Sequence, residues 1–216
     1  MTDSEALPVT MPAFFIADSR GIDFLNSVAT PVDEPIDWIR NGDGLIDWLR
    51  QARLVPEDEL SELVEQAMPG ELDRVAVQAR DLREWFRGFV KGHMGRTLEP
   101  DALKSLAPLH RLLERDEAYG RIVVQDGGHL AFETTRRWRS PEALLLPIGE
   151  VLARTVVEED FTHVKACQGP SCTLLFADHT RGRARRWCSM SACGNRAKVS
   201  AHRSRRKEAA LRDVNA

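Results

Sequence analysis

All four cysteines of this 216-residue chain fall within one short stretch, as Cys167-x4-Cys172-x15-Cys188-x4-Cys193. Two close pairs joined by a short span bring four sulfurs to one point when the span folds back as a hairpin. Four thiolates around one ion make a closed, structural tetrahedral zinc site with no position open to substrate. Gly169, Pro170 and Ser171 inside the first pair, and Ser189, Ser191 and Ala192 inside the second, suit tight knuckles. A segment of about 45 residues builds no adequate core alone, so a metal takes its place. Other uses of the same residues are two disulfides, an iron–sulfur cluster, or a ligand set in which His163, His179 or His202 replaces a cysteine. The chain opens MTDSEALP, without the basic and apolar regions of a secretory signal, which argues for a reducing compartment. The basic surroundings and symmetric pairs give a cluster no particular support. The expectation is one structural Zn2+ on Cys167, Cys172, Cys188 and Cys193.

Charge is the second constraint. Arg181, Arg183, Arg185, Arg186, Arg196, Lys198, Arg203, Arg205, Arg206 and Lys207 follow one another with no acid between 181 and 207. Residues 181–216 carry eleven Lys and Arg against two acids, a net +9, so the first 180 residues carry −12 within a total of −3. On a helical wheel Ala197, Ser200, Ala201 and Ser204 share one narrow side and the basic residues take the rest. A single-signed basic helix anchored to a metal site is the electrostatic footprint of a nucleic-acid binder. The basic residues of this run, with Asn195, are the candidate contacts. Asn195 and Arg196 sit where they reach base edges, cap the helix or hold phosphate.

At the second pair, Arg186-Trp187-Cys188-Ser189-Met190 followed by Cys193-Gly194-Asn195-Arg196-Ala197-Lys198 resembles the signature of the CGNR zinc-finger proteins. The resemblance implies an N-terminal ABATE domain, described for stress-induced transcription regulators, and a C-terminal zinc finger. It also implies zinc ligation by the four cysteines and DNA binding. The opening FFIADSRGIDFLNSV, with Asp23-Phe24-Leu25-Asn26, and the stretch Ala79-Arg80-Asp81-Leu82-Arg83-Glu84 are similar to recurring ABATE segments.

The rest of the chain reads as mainly α with small β-hairpins, an α+β fold. Residues 1–12 form a tail, 13–160 a helical domain, 161–207 a treble-clef-like four-cysteine zinc finger with its basic helix, and 208–216 a C-terminal tail. Phe14–Ile16 reads as a strand before a turn at Asp18–Gly21. Helices are expected over roughly 45–54, 56–68 and 71–94, the last with Leu72, Val75, Ala76, Ala79, Leu82, Phe86 and Val90 at spacings of three and four. A helix opened by Pro100 reaches about Glu117, and Arg121–Gln125 pairs with Leu130–Thr135. Ser140 and Pro141 open a last helix that Pro147 kinks. In the finger, Thr173–Trp187 is expected to form the hairpin, with Phe176 and Trp187 as the apolar cluster beside the metal.

Asp23, Asn26, Arg80 and Arg83 are candidates for a ligand pocket that takes a small-molecule signal. His93, His110 and His129 are isolated, and no phosphate loop or nucleophile pattern is present, so a non-enzyme is expected. No apolar run approaches 18 residues, so no membrane span is expected. The reading is a zinc-dependent regulator that binds double-stranded DNA in the cytoplasm, associated with the nucleoid. Structured RNA, the ribosome or an acidic protein partner are the competing ligands. A homodimer is compatible with the chain, although no heptad seam requires one.

Overall fold

A computed structural model describes residues 11–30, 34–125 and 127–199. The long apolar stripe yields the spine, helix α4 (Glu71–His93), which buries Val75, Ala76, Ala79, Arg83, Phe86, Phe89 and Val90. That set keeps the expected spacing but admits an arginine. Ahead of it come α1 (Arg20–Leu25), a two-residue ladder of β1 (Val28–Ala29) with β2 (Ile36–Asp37), α2 (Gly42–Ala52) and α3 (Glu57–Gln66). Asn41 caps α2 by accepting the Gly44 N–H at 3.0 Å, and Pro56 precedes an acidic first turn in α3. After the spine follow α5 (Ala107–Leu113), a hairpin of β3 (Ala118–Val124) with β4 (Leu130–Arg136), and α6 (Leu145–Glu158). The four-cysteine region contributes β5 (Val164–Ala166) and β6 (Leu175–Ala177), paired antiparallel. The architecture is α+β, with helices carrying small two-stranded sheets.

Several local expectations are corrected. Phe14–Ile16 joins no ladder; residues 12–16 run irregularly beside the core. Pro100 opens a 3-10 segment to Leu106 before α5 begins. Ser140 makes no side-chain cap, and Pro141–Leu144 forms a 3-10 turn leading into α6. Pro147 therefore falls in the first turn of α6, where no intrahelical donor is required of it, and needs no kink.

Helix α1 packs on α6 and α2 on α4. The first crossing is close because residue 21 is glycine: a Cβ there would lie 2.2 Å from Thr155 Oγ1. Trp48, Phe24, Phe86, Phe161 and Phe176 are fully buried in one apolar cluster that runs unbroken past residue 160 into Leu174, Leu175, Phe176 and Ala177.

That continuity has a polar lock. Asn26 lies just beyond α1, 1 % exposed, and its side-chain amide treats β6 as a neighbouring strand would. Nδ2 donates to Leu175 O at 2.9 Å, and Oδ1 accepts from Leu175 N at 2.9 Å. Ala177 N also donates to Ala17 O at 2.8 Å, and Thr30 N to Thr173 Oγ1 at 2.9 Å. The finger hairpin thus shares the hydrogen bonds and the core of the N-terminal region. Replacing Asn26 by alanine leaves Leu175 N and O unsatisfied, at a cost of about 2 kcal/mol. Hydrogen exchange at the Leu175 amide is expected to speed up by at least about tenfold, and unchanged exchange there would show that the lock is dispensable.

Candidate metal centre

The first cysteine pair closes the β5–β6 hairpin. Cys167 follows β5 directly, its N–H donates to Leu174 O at 2.9 Å, and Cys172 N donates to Gly169 O at 3.2 Å. Gly169 is required by close approach, since a Cβ would lie 3.0 Å from Cys193 Sγ and 3.1 Å from Cys172 Cβ. The hairpin therefore pairs 164–166 with 175–177 across the knuckle, which corrects the expectation that it would form from Thr173–Trp187. Residues 178–187 instead make a loop that returns the chain to the knuckle. Gln168 N donates to Arg186 O at 2.9 Å, which sets Cys188 beside Cys167.

The loop owes its shape to Asp178, a residue without any motif to announce it. Its carboxylate is fully buried and accepts from Lys165 Nζ (2.7 Å), Thr180 Oγ1 (2.5 Å), Thr180 N (3.1 Å) and Arg185 N (2.9 Å). Burial raises its pKa, but the hydrogen bonds from Lys165, Thr180 and the Arg185 N–H outweigh it and hold the carboxyl below the usual range.

Around the second pair the backbone winds into a π-turn, Met190–Gly194, with Gly194 N donating to Ser189 O at 3.0 Å. A π-turn takes an extra residue per turn, the geometric answer to an x4 spacing where shorter ones are common. Helical backbone continues over residues 195–199.

The four sulfurs lie within 4.8 Å of one another, with Cys172 to Cys188 at 3.8 Å and Cys188 to Cys193 at 3.6 Å. A tetrahedral ion with metal–sulfur bonds of about 2.3 Å holds its sulfurs about 3.8 Å apart. The cysteines are free thiols, with no disulfide among them. Donors point at the sulfurs: Cys188 N and Gly169 N donate to Cys167 Sγ at 3.2 and 3.4 Å, and Arg196 Nη2 to Cys193 Sγ at 3.2 Å. The arrangement fits a four-coordinate metal with soft ligands.

The other predicted residues divide sharply. Arg181, Arg183, Arg186, Asn195, Arg196 and Lys198 lie on the outside of the finger, exposed or half-buried. Arg186 Nε donates to Gln168 at 2.7 Å with its guanidinium over Trp187, and Asn195 Nδ2 donates to Ser191 O at 3.3 Å. Arg185 is a structural clamp. It stacks over Phe176 at 4.3 Å, pairs with Asp18 at 2.6 Å, and donates to Ile16 O at 2.8 Å, to Trp187 O and to Cys188 O. Its place between hairpin and core removes it from any ligand. Arg203, Arg205, Arg206 and Lys207 lie outside the described residues.

The predicted pocket residues do not converge. Asn26 is the lock on β6. Arg80 donates to Ile39 O and Arg40 O at 2.8 and 2.7 Å, and Arg83, 3 % exposed, grips Asp37 through two bonds of 2.8 and 2.7 Å. Both arginines complete the β2 turn, and Arg83 commits its guanidinium to the Asp37 carboxylate. Asp23 borders a cavity. Burial pushes its carboxyl up to about 7, against the hydrogen bond from Ala17 N–H.

Sequence profiles place these pieces. The ABATE domain family, described as "Putative stress-induced transcription regulator", matches residues 18–164, and the CGNR zinc finger matches residues 163–206. The chain belongs to the ABATE family and carries a CGNR zinc finger after that domain. No curated protein matches it.

Two measurements test the electrostatics. Metal entry must displace thiol protons; burial holds Cys167 above the ordinary range, while the hydrogen bond to Cys172 and burial do so for Cys188. Apparent zinc affinity in chelator competition is therefore expected to fall about tenfold or more per pH unit from pH 8 to 6. A pH-independent affinity, or a Cys172→Ser protein binding equally tightly, contradicts the cage. Asp23 has a folded pKa above its unfolded value of about 3.9, so the folded state keeps its proton longer and stability falls as pH rises from about 4 to 7. Asp23→Asn should match the parent at pH 4 and exceed it by up to about 4 kcal/mol at pH 8 in urea titrations. Parallel stability curves would show that burial does not govern Asp23.

Proposed function

We propose that the chain is a transcription regulator that binds duplex DNA through a finger held by one structural zinc. The observation that carries this reading is the placement of outward-facing, single-signed charge against the sulfur cage. Arg181, Arg183 and Arg186 precede the second cysteine pair, Arg196 and Lys198 follow it, and the ion would fix both groups in one frame. The family description supports a regulatory role. Zinc supplies rigidity here and no reaction, because protein sulfurs fill all four positions. The chain is accordingly read as a regulator rather than an enzyme.

Affinity on this reading comes from phosphate contacts. Asn195 and Arg196, for which base reading was one of three expected roles, turn partly back toward the metal knuckle, which leaves sequence preference to residues beyond 199 and to DNA shape. The acidic balance of residues 1–180 keeps the remainder of the molecule off the DNA and orients the finger toward it.

The test is selection of genomic fragments by zinc-loaded protein at near-physiological salt, with chelated protein as control. A recurrent, metal-dependent sequence is the expected result. With about five basic side chains on phosphates, log affinity falls against log salt with a slope of about −4.5 or steeper. A salt-insensitive complex sinks the electrostatic reading, and preference for structured RNA over duplex DNA in competition transfers the function to RNA.

A further inference from the structure

A cleft lies between α1, the end of α2 and α6, on the N-terminal domain. It consists of two adjoining hollows of about 600 and 330 Å³ that share Arg20, Arg53 and Leu54. In the smaller, Phe15 and Trp48 form an aromatic wall, with ring centroids 5.9 Å apart and planes inclined at 35°. Trp48 is 1 % exposed, and its indole N–H is buried with no acceptor among the described residues. Such a donor is destabilising as it stands, and an acceptor carried in by a ligand relieves it.

The charges around the cleft are sorted in the same sense. Most of its acids are already engaged: Asp18 with Arg185, Glu150 and Glu158 with Arg154, and Glu159 in a hydrogen bond with His179. Asp23, which borders the smaller hollow, accepts from Ala17 N–H, and its carboxyl is pushed up to about 7 by burial. Arg20 and Arg53 are exposed at the junction of the two hollows and hold no ion pair among the described residues. Arg53 also ends α2 with φ at 53°, a left-handed position that glycine or asparagine usually takes. An arginine kept there at a backbone cost points to a use for its side chain. An orphan N–H, two exposed guanidiniums, of which Arg20 meets only the field of Asp23 among the described residues, and an aromatic wall all select one kind of molecule.

We propose that this cleft binds a small organic anion with a flat apolar body, of the aromatic carboxylate class. The ring lies against Phe15 and Trp48, a carboxylate oxygen accepts from the Trp48 indole N–H, and Arg20 and Arg53 neutralise the charge. Asp18, Glu159 and His179, which border the larger hollow, are also residues that tie the domain to the finger loop. The site is independent of the DNA reading, since every proposed ligand contact stands on the N-terminal domain.

The test uses the full-length, zinc-loaded, 15N-labelled chain, in which five tryptophans give five indole N–H signals. Benzoate and phenylacetate are the probes; acetate lacks the ring and benzyl alcohol lacks the charge. Trp48→Phe identifies the reporting signal. One of the two aromatic carboxylates is expected to shift that signal saturably, with both controls weaker by about tenfold or more. Arg20→Gln and Arg53→Gln should each weaken it several-fold, and together about tenfold or more, while the four other indole signals stay in place as a check on folding. No saturable shift with either probe overturns the site. Equal binding of benzyl alcohol overturns the anionic class, and unchanged affinity in the double arginine variant overturns the assigned charge contacts.

Discussion

The paired hydrogen bonds between the Asn26 amide and the main chain of Leu175 are the contact on which the finger's position depends. The β5–β6 hairpin has two strands of three residues and cannot be stable by itself. It gains a third hydrogen-bonding neighbour from a side chain and its apolar contacts from the domain, with Leu175, Phe176 and Ala177 almost wholly buried. A buried amide that donates and accepts in strand register tolerates little displacement. The metal cage therefore starts from a hairpin already fixed against α1.

From that base the cage assembles by short-range geometry. Asp178 gathers four donors and folds the loop back, Arg185 closes it against Asp18 and Phe176, and the π-turn brings Cys193 toward the other sulfurs. With four sulfurs within 4.8 Å, burial holds the Cys167 thiol up, the hydrogen bond to Cys172 holds Cys188 up, and the same bond brings Cys172 down to about 5. A bound metal would relieve that conflict while joining two backbone segments.

Arginines play opposite parts in this molecule, and burial distinguishes them. Arg83 and Arg185 carry planar guanidiniums whose several donors meet carboxylates and carbonyls in fixed directions, so they serve as internal fasteners. Arg181, Arg183 and Arg186 belong to the same basic run as Arg185 yet face solvent. Arg20 and Arg53 stand apart again, exposed beside an aromatic wall and without an ion pair among the described residues. Charge counts treat all of these alike, although only the exposed ones contribute to a field that a ligand experiences.

Cysteine spacing, the Cys-Gly-Asn-Arg stretch and the apolar period of residues 71–94 were enough, as sequence, to specify the convergence of the four cysteines, the family and the main helix. Each is a local signal: close pairs restrict how sulfurs meet, and a period of 3.6 decides which side of a helix is buried. Proline and glycine breaks marked most element ends, though Pro100 and Pro141 opened 3-10 turns, which share a signature with α-helix starts. What no linear pattern revealed is the use of Asn26, Arg83, Asp178 and Arg185. Their partners are 149 residues away for Asn26, 46 for the Asp37 partner of Arg83 and 167 for the Asp18 partner of Arg185. Tertiary structure alone decided that one core continues into the finger, and that Asp23 and Trp48 meet Arg20 and Arg53 at a single cleft. The physical reason is that burial and hydrogen-bond direction depend on which distant segments are brought into contact, whereas periodicity and ligand spacing act within a few residues.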